Sequence, residues 1–260
     1  MADAFYVPDG DALVSTELTR GPWDPDAQHA GPPAALLGRA IEQRPDARAD
    51  MRVARITYDI GRPVPVAPLT VTTRVVRSGR SVEVVEADLA PDGAAPVMRA
   101  AALRIRTESD AAPTICAVPT LPGPDSAEVR PFFPVSYEDG YHTGMEFRFV
   151  AGEFLVPGPA TCWFRMRMPL VDDEPPSPLV RVLAAADSGN GISAALDWRT
   201  NLFINPDLTV HLYRYPAGEW VCLDARTSVD PAGIGMADTA LLDQRGAIGR
   251  AAQSLFVAKR

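Results

Sequence analysis

Two stretches with apolar residues at helical spacing stand out in a chain that elsewhere alternates between apolar and polar positions. They are "GPPAALLGRAIEQR" at 31–44 and "PPSPLVRVLAAADSG" at 175–189. Prolines lead both stretches, and proline suits the first turn of a helix, where its missing N–H would have no partner. The pattern therefore predicts two helices, one in each half of the chain.

The residues around both helices show the pattern of strands. Residues 70–76 alternate between two faces, and Ser78-Gly79-Arg80 after them is typical of a hairpin turn. Strands are predicted at 12–18, 51–60, 69–78, 81–90, 96–107, 145–150, 160–168, 207–214, 219–229, 233–243 and 247–257.

The order of elements repeats, which indicates an internal duplication. The last strands of the two halves support this, because "MRAAALRIR" at 98–106 resembles "GRAAQSLFV" at 249–257 and places Ala102 opposite Gln253. One helix with a run of antiparallel strands, twice over, predicts an α+β fold in which each unit wraps a sheet around its helix. The two sheets are expected to join edge to edge, since this removes an exposed edge from each.

Prolines and turn residues crowd the middle of the chain, at 113–141. Proline supplies no donor to a strand ladder, so this stretch is predicted to be an extended connection. We therefore divide the chain into an N-terminal unit at 1–112, a Pro-rich linker at 113–142 and a C-terminal unit at 143–260.

Net charge, apolar runs and cysteine spacing limit the classes of binding partner. The chain has 260 residues and a formal net charge of −8, which argues against a nucleic-acid partner because phosphates need a basic face. No apolar run has the length of a membrane span, and the N-terminal residues lack a signal-peptide pattern. The cysteines Cys116, Cys162 and Cys222 are scattered, so we expect no disulfide framework and a reducing, cytoplasmic setting.

No cofactor or metal is expected. His29, His142 and His211 lie far apart, and neither the cysteines nor the histidines have the spacing of a zinc site. The glycine-rich signatures of phosphate-binding and dinucleotide-binding loops, and that of serine hydrolases, are absent from the sequence.

Four segments carry a resemblance to a known family. They are "HAGPPAALLGRAI" at 29–41, "LAAADSGNG" at 183–191, "LFINPDLTVHLYRYPAGEWVCLDART" at 202–227 and "GRAAQSLFVAKR" at 249–260. In their order and spacing they resemble the TesB-like acyl-CoA thioesterases, over essentially the whole chain. The resemblance implies a double hotdog fold, a homo-oligomer, and hydrolysis of fatty acyl-CoA to free acid and CoA by direct attack of water.

The same resemblance implies three catalytic side chains. An aspartate at the end of the second helix maps to Asp187, and a glutamine on the last strand maps to Gln253. A small polar residue on an intervening strand maps to Asn205, with Thr209 as a competing candidate that would otherwise contact the substrate.

The residues themselves fit that chemistry, but each also has a plainer interpretation. Asp187 stands at a helix C-terminus among apolar neighbours, where a charged carboxylate is disfavoured, as suits a general base; it could equally be an exposed helix end. Gln253 can donate its amide to the water or the oxyanion, or simply face solvent. Asn205 can hold the water, or form a turn with Pro206.

Further candidates lie on the first helix. His29 and Gly31 are predicted to contact the substrate, with the backbone N–H groups at the helix start facing the thioester oxygen. A structural role for His29 is favoured over a catalytic one. Glu42 mirrors Asp187 on this helix and is predicted to mark its polar end.

Two other functions remain open from the sequence. An enoyl-CoA hydratase of the same fold would need a histidine after the aspartate in a D-x-N-P-x-H helix, and Ser193 stands there instead, with no histidine nearby in the sequence. A non-catalytic protein that binds acyl thioesters is the other alternative, because the middle catalytic position is open.

Overall fold

A continuous antiparallel sheet of 13 strands forms the body of the molecule in the computed structural model. The structure describes residues 3–109, 111–113, 115 and 121–260. The strands are β1 (Tyr6–Asp9), β2 (Ala12–Ser15), β3 (Met51–Ile60), β4 (Pro68–Ser78), β5 (Val82–Pro91), β6 (Met98–Arg106), β7 (Met145–Ala151), β8 (Ala160–Met166), β9 (Asn201–Ile204), β10 (Asp207–Leu212), β11 (Val221–Val229), β12 (Ile234–Asp243) and β13 (Gly246–Lys259).

The strand order makes the duplication visible. It runs β1-β2-β4-β5-β6-β3 through the first half and β10-β13-β12-β11-β8-β7 through the second, while β9 pairs with β13 beside this path. The halves meet where β3 pairs with β10, with Thr57 opposite Thr209. The predicted α+β fold with two sheets joined edge to edge is therefore confirmed.

Two helices lie side by side in the core. They are α1 (Gly31–Gln43) and α3 (Pro178–Ala186), and two single-turn helices, α2 (Tyr141–Gly144) and α4 (Gly189–Ile192), accompany them. The Ser177 side chain starts α3 by accepting a hydrogen bond from the Val180 N–H at 3.2 Å. No helix among the described residues is both long and apolar enough to cross a membrane.

The structure differs from the sequence prediction at several element ends and at two short strands. The strand predicted at 12–18 ends at Ser15, because Thr16 caps a 3-10 turn at Glu17–Thr19. The second helix ends at Ala186 rather than 189, and α4 follows it. Sequence reasoning missed the strands β1 and β9, which have only four residues each and so show too little alternation.

The described part of the predicted linker packs against the second unit. The backbone N–H and carbonyl groups of Glu128 pair with those of Phe149 on β7, at 2.9 and 2.7 Å. Phe133 is buried in the main core. Residues 114 and 116–120, including Cys116, lie outside the described residues, whereas Cys162 and Cys222 are free and buried. The unit boundaries given above stay a prediction.

The mirrored carboxylate Glu42 lies at the contact between the two helices. Its Oε2 accepts a hydrogen bond from the Ser177 hydroxyl at 2.6 Å, which ties the end of α1 to the start of α3. Burial raises the pKa of Glu42, while hydrogen bonds from Ser177 and Tyr215 lower it. Because the net shift is upward, folding favours the protonated form, and stability falls as pH rises above the ordinary glutamate pKa of 4.5.

We therefore expect Glu42→Gln to stabilise the protein at about pH 8, because the amide oxygen still accepts from Ser177 without a buried charge. The melting temperature should rise by about 2–4 °C for each kcal/mol gained in a chain of this size. The gain should shrink as pH is lowered toward 4.5, the ordinary pKa of a glutamate side chain. As a control, Glu42→Ala removes the acceptor and should lower the melting temperature at both pH values. A Glu42→Gln variant less stable than the parent at about pH 8 would contradict this account.

Candidate active site

The carboxylate of Asp187 is buried where the second helix ends. Asp187 is the C-cap residue of α3, with φ −66° and ψ −18°, and its side chain is only 7% exposed. The chain then turns directly into α4 against the sheet. Glycine is required at 189, because a Cβ there would stand 2.4 Å from the Thr239 hydroxyl and 3.2 Å from the Gln253 Oε1.

One oxygen of this carboxylate is held by two amides. Asp187 Oδ1 accepts from Asn205 Nδ2 at 2.8 Å and from Gln253 Nε2 at 3.1 Å. Gln253 Nε2 also donates to the Asp187 carbonyl at 3.0 Å, and its Oε1 accepts the Asn190 N–H at 3.0 Å. Gln253 is 2% exposed. Its whole amide is therefore engaged with the Asp187 turn, and it holds the carboxylate from behind.

The other oxygen faces a histidine from the first half of the chain. Asp187 Oδ2 lies 3.3 Å from His29 Nδ1, and the same nitrogen accepts the Gly31 N–H at 3.0 Å. Burial lowers the pKa of His29, although the nearby Asp187 carboxylate raises it. The lowered pKa keeps the imidazole neutral at neutral pH.

Tyr141 on α2 fixes the plane of that imidazole. The two rings stack with centroids 3.7 Å apart and an interplanar angle of 3°. The Tyr141 hydroxyl donates to the Ala184 carbonyl at 2.7 Å and lies 3.0 Å from the Ser188 hydroxyl. The imidazole is thus held between the tyrosine ring and the end of α3.

The structure separates the two candidates for the middle position. Asn205 contacts Asp187, whereas the Thr209 hydroxyl donates to the Thr57 hydroxyl at 3.1 Å across the seam between the halves. Thr209 is also not among the residues that line the cavity described below. The geometry therefore brings Asn205, and not Thr209, to the carboxylate.

The expected donors at the start of α1 are already engaged or missing. The Gly31 N–H donates to His29, and Ala34 N–H donates to the Ala30 carbonyl at 3.0 Å. Pro32 and Pro33 have no N–H at all. The backbone N–H groups of residues 31–34 are therefore engaged within the protein or absent, and the substrate contact of His29 and Gly31 stays a prediction.

Sequence reasoning also missed the approach of His29 to Asp187. The expectation that no histidine lies near the aspartate is wrong in space, because α1 and α3 pack antiparallel and bring residues 158 positions apart into contact (187 − 29). The available signal was the His-x-Gly spacing ahead of a proline-led helix. Tyr141, which lay within the predicted linker, carried no signal of its own.

A cavity of about 590 Å³ opens beside these groups. Its volume lies within the usual range of small-molecule sites. The polar residues of its wall include Asp187, Asn205 and His29, together with Arg62, Ser188 and Asn190. The rest is mostly apolar and includes Trp23, Phe132, Phe133, Phe154, Ile60, Phe203 and Phe256.

In the described ranges, no three histidine, cysteine or carboxylate side chains are grouped as metal ligands would be. The chemistry open to the site is that of a desolvated carboxylate beside a neutral imidazole, facing an apolar cavity.

Two sheets that each wrap a helix and join edge to edge define a double hotdog fold, and the buried carboxylate at one helix end marks its candidate active site. Models of the N-terminal and C-terminal domains of acyl-CoA thioesterases match residues 19–105 and 116–257. The chain belongs to the acyl-CoA thioesterase family, and its reaction is the hydrolysis of acyl-CoA thioesters.

Solved structures share the fold over nearly the whole chain. A candidate thioesterase II from Thermobifida fusca YX has a TM-score of 0.76 at 19% identity, covering 97% of this chain and 95% of its own. A hot dog fold protein from Alicyclobacillus acidocaldarius has a TM-score of 0.73 at 17% identity, with 99% and 97% covered. The acyl-CoA thioesterase II TesB2 of Mycobacterium marinum has a TM-score of 0.66 at 16% identity, with 89% and 90% covered. No curated protein sequence matches the chain significantly.

Gly31 controls how closely the two helices approach at this site. A Cβ at Gly31 would stand 2.3 Å from the Ala184 carbonyl oxygen, which is backbone and does not swing away. At Gly191, which lines the same cavity, a Cβ would meet nothing within 4 Å.

We expect Gly31→Ala to push α1 and α3 apart and to cost about 1–3 kcal/mol, the usual range for overpacking. Gly191→Ala is the matched control and should change stability little, because its methyl group has open space. The midpoint of urea unfolding measures both. Equal stability of the two variants would show that the close helix contact is not needed.

Proposed function

We propose that this chain hydrolyses fatty acyl-CoA by direct attack of water, with Asp187 as the general base. The observation that carries the proposal is the arrangement of the carboxylate: Oδ1 is held by Asn205 and Gln253, which leaves Oδ2 to take a proton. A base fixed in one orientation at the wall of an apolar cavity suits proton abstraction from a bound water.

The reaction balances with these groups alone. Asp187 Oδ2 takes a proton as the water oxygen attacks the thioester carbonyl carbon, which gives a tetrahedral oxyanion. The oxyanion collapses, the carbon–sulfur bond breaks, and the CoA thiolate leaves with the bond's electrons. The proton on Asp187 then passes to the thiolate or to solvent, which regenerates the base. No covalent bond to the protein forms.

Gln253 acts in this scheme through Asp187 and is a positioning residue. Its amide makes all its recorded hydrogen bonds to the turn at 187–190 and is not part of the cavity wall. The apolar residues of the wall suit an acyl chain, since burying that chain there removes apolar surface from water.

We expect Asp187→Asn to lower kcat by about 10²–10⁴, the usual contribution of a general base, while the fold survives. The asparagine oxygen can still accept from Asn205 and Gln253, so the local structure is preserved. Free thiol release from a panel of acyl-CoA substrates measures kcat, and thermal melting reports the fold.

Asp224→Asn is the control, because that carboxylate accepts from the Thr161 hydroxyl on the neighbouring strand and is not in the cavity wall. An Asp187→Asn variant with the parent kcat would contradict the mechanism. Loss of enoyl absorbance without thiol release, with an enoyl-CoA in the panel, would instead support the hydratase alternative that the Asp187–His29 contact makes chemically possible.

The assembly and location of the protein are further parts of the proposal. Ile204, Phe256 and Ile234 are neighbours across β9, β13 and β12, and each is more than half exposed. A contiguous apolar row on a sheet favours burial in a homo-oligomer. The free cysteines Cys162 and Cys222 support a reducing, cytoplasmic setting.

We expect sedimentation at micromolar concentration to show a species larger than the 27.9 kDa chain. Ile234→Glu should shift it toward the monomer, because a charge in an apolar interface is left without a partner. Val76 is also exposed but lies on β4 in the first half, and Val76→Glu is the matched control. A parent protein that sediments only as a 27.9 kDa species would overturn the homo-oligomer.

A further inference from the structure

Thioester hydrolysis needs donors for the oxyanion as well as a base, and the site's obvious donors are already in use. The Gln253 amide is bonded to the Asp187 turn. The Gly31 N–H is bonded to His29, and the two prolines after it carry no N–H. A preorganised donor is usually a large contribution to such reactions, so a further group on the cavity wall is expected to contribute one.

We propose that His29 donates its Nε2–H to the thioester oxygen as negative charge develops there. This inference rests on the proposed function, and it makes His29 a catalytic residue in addition to Asp187.

The tautomer follows from the hydrogen bond at the other ring nitrogen. A neutral imidazole carries one N–H, and its second nitrogen is an acceptor. Since Nδ1 accepts the Gly31 N–H at 3.0 Å, the ring proton lies on Nε2. Nε2 makes no hydrogen bond to any described residue and is not a buried atom, and His29 lines the cavity. The donor is therefore available to a bound substrate.

The contact with Asp187 then gains a role during the reaction. In the resting state Nδ1 and Asp187 Oδ2 are two acceptors 3.3 Å apart. Once Oδ2 has taken a proton from water, its charge no longer repels the Nδ1 lone pair, which stays bonded to the Gly31 N–H, and the oxyanion accepts from Nε2 at the same moment. The imidazole therefore interacts more favourably with the products of the proton transfer than with the reactants.

The surroundings of His29 keep the imidazole neutral and immobile. Burial lowers its pKa more than the Asp187 charge raises it. Asp187 is the charged group that faces it from α3, and α2 presents the uncharged Tyr141 ring stacked at 3.7 Å. A neutral imidazole donates a hydrogen bond without first losing a proton, which suits an electrophile.

Two substitutions at His29 distinguish three roles for its side chain: a hydrogen-bond donor, a residue that only lines the cavity, and a base. His29→Phe keeps an aromatic ring against Tyr141 but has no N–H, so kcat should fall by about 10²–10³ with little change in KM. His29→Gln restores an amide donor that does not act as a base, so its kcat should exceed that of the Phe variant by at least about tenfold. The exposed strand residue His211 is the control, and His211→Gln should keep the parent kcat.

Kinetic outcomes on either side are decisive. A His29→Phe variant with a kcat close to that of the parent would show that His29 only lines the cavity. A Gln variant as slow as the Phe variant would show that the imidazole transfers a proton during the reaction, and would overturn its role as a hydrogen-bond donor. If the parent itself releases no thiol from any acyl-CoA, the proposed function fails and not this assignment.

A spectroscopic measurement tests the assignment without any activity and on the parent protein. The chain has three histidines, so nitrogen NMR of protein labelled at histidine gives few signals, and loss of one set in His29→Phe assigns them. The expected result at neutral pH is a neutral His29 with its proton on Nε2. A proton on Nδ1, or a charged ring, would overturn the proposal.

Discussion

The carboxylate of Asp187 is buried at a helix C-terminus, and the rest of the site is arranged around that costly placement. A buried carboxylate is tolerated only when hydrogen bonds replace its lost hydration. Asn205, in the connection between β9 and β10, and Gln253 on β13 supply them at Oδ1. The first half places His29 Nδ1 at 3.3 Å from Oδ2. Asp187, the proposed general base, is thus also the residue whose burial requires these side chains to lie beside it.

The duplication explains why only one helix end became such a site. On α1 the mirrored carboxylate Glu42 is bound by the Ser177 hydroxyl, and the strand position that matches Gln253 is the buried Ala102. Nearby, Glu83 accepts from Arg104 at 2.7 Å and from Arg44 at 3.1 Å, and all three side chains are buried. The Glu83 carboxylate is thus paired with two arginines, and the Glu42 carboxyl group is hydrogen-bonded to Ser177. Neither group is left as a free base.

Sequence patterns were sufficient for the fold because the long elements repeat and alternate strongly. The strand predicted at 51–60 has the bounds of β3, and the first helix starts at Gly31 as predicted. Asp187, Asn205 and Gln253 were placed together by resemblance, and their hydrogen bonds were beyond any pattern. The contact of His29 with Asp187 depends on the antiparallel packing of two helices far apart in sequence, and a single sequence does not encode that distance locally. Tyr141 was missed for a similar reason, since its stretch shows only prolines and turns.

The helix contact that shapes the core also sets the chemistry of the site. Gly31 lets α1 approach the Ala184 carbonyl, and its N–H simultaneously fixes the acceptor nitrogen of His29. Tyr141 binds the same Ala184 carbonyl and stacks on the same imidazole. The site therefore forms only when both halves have folded and docked, because one half carries the base and the other carries the imidazole. This dependence gives the first half a reason to persist, since without it Asp187 would lose its contact with His29 and water would reach the carboxylate.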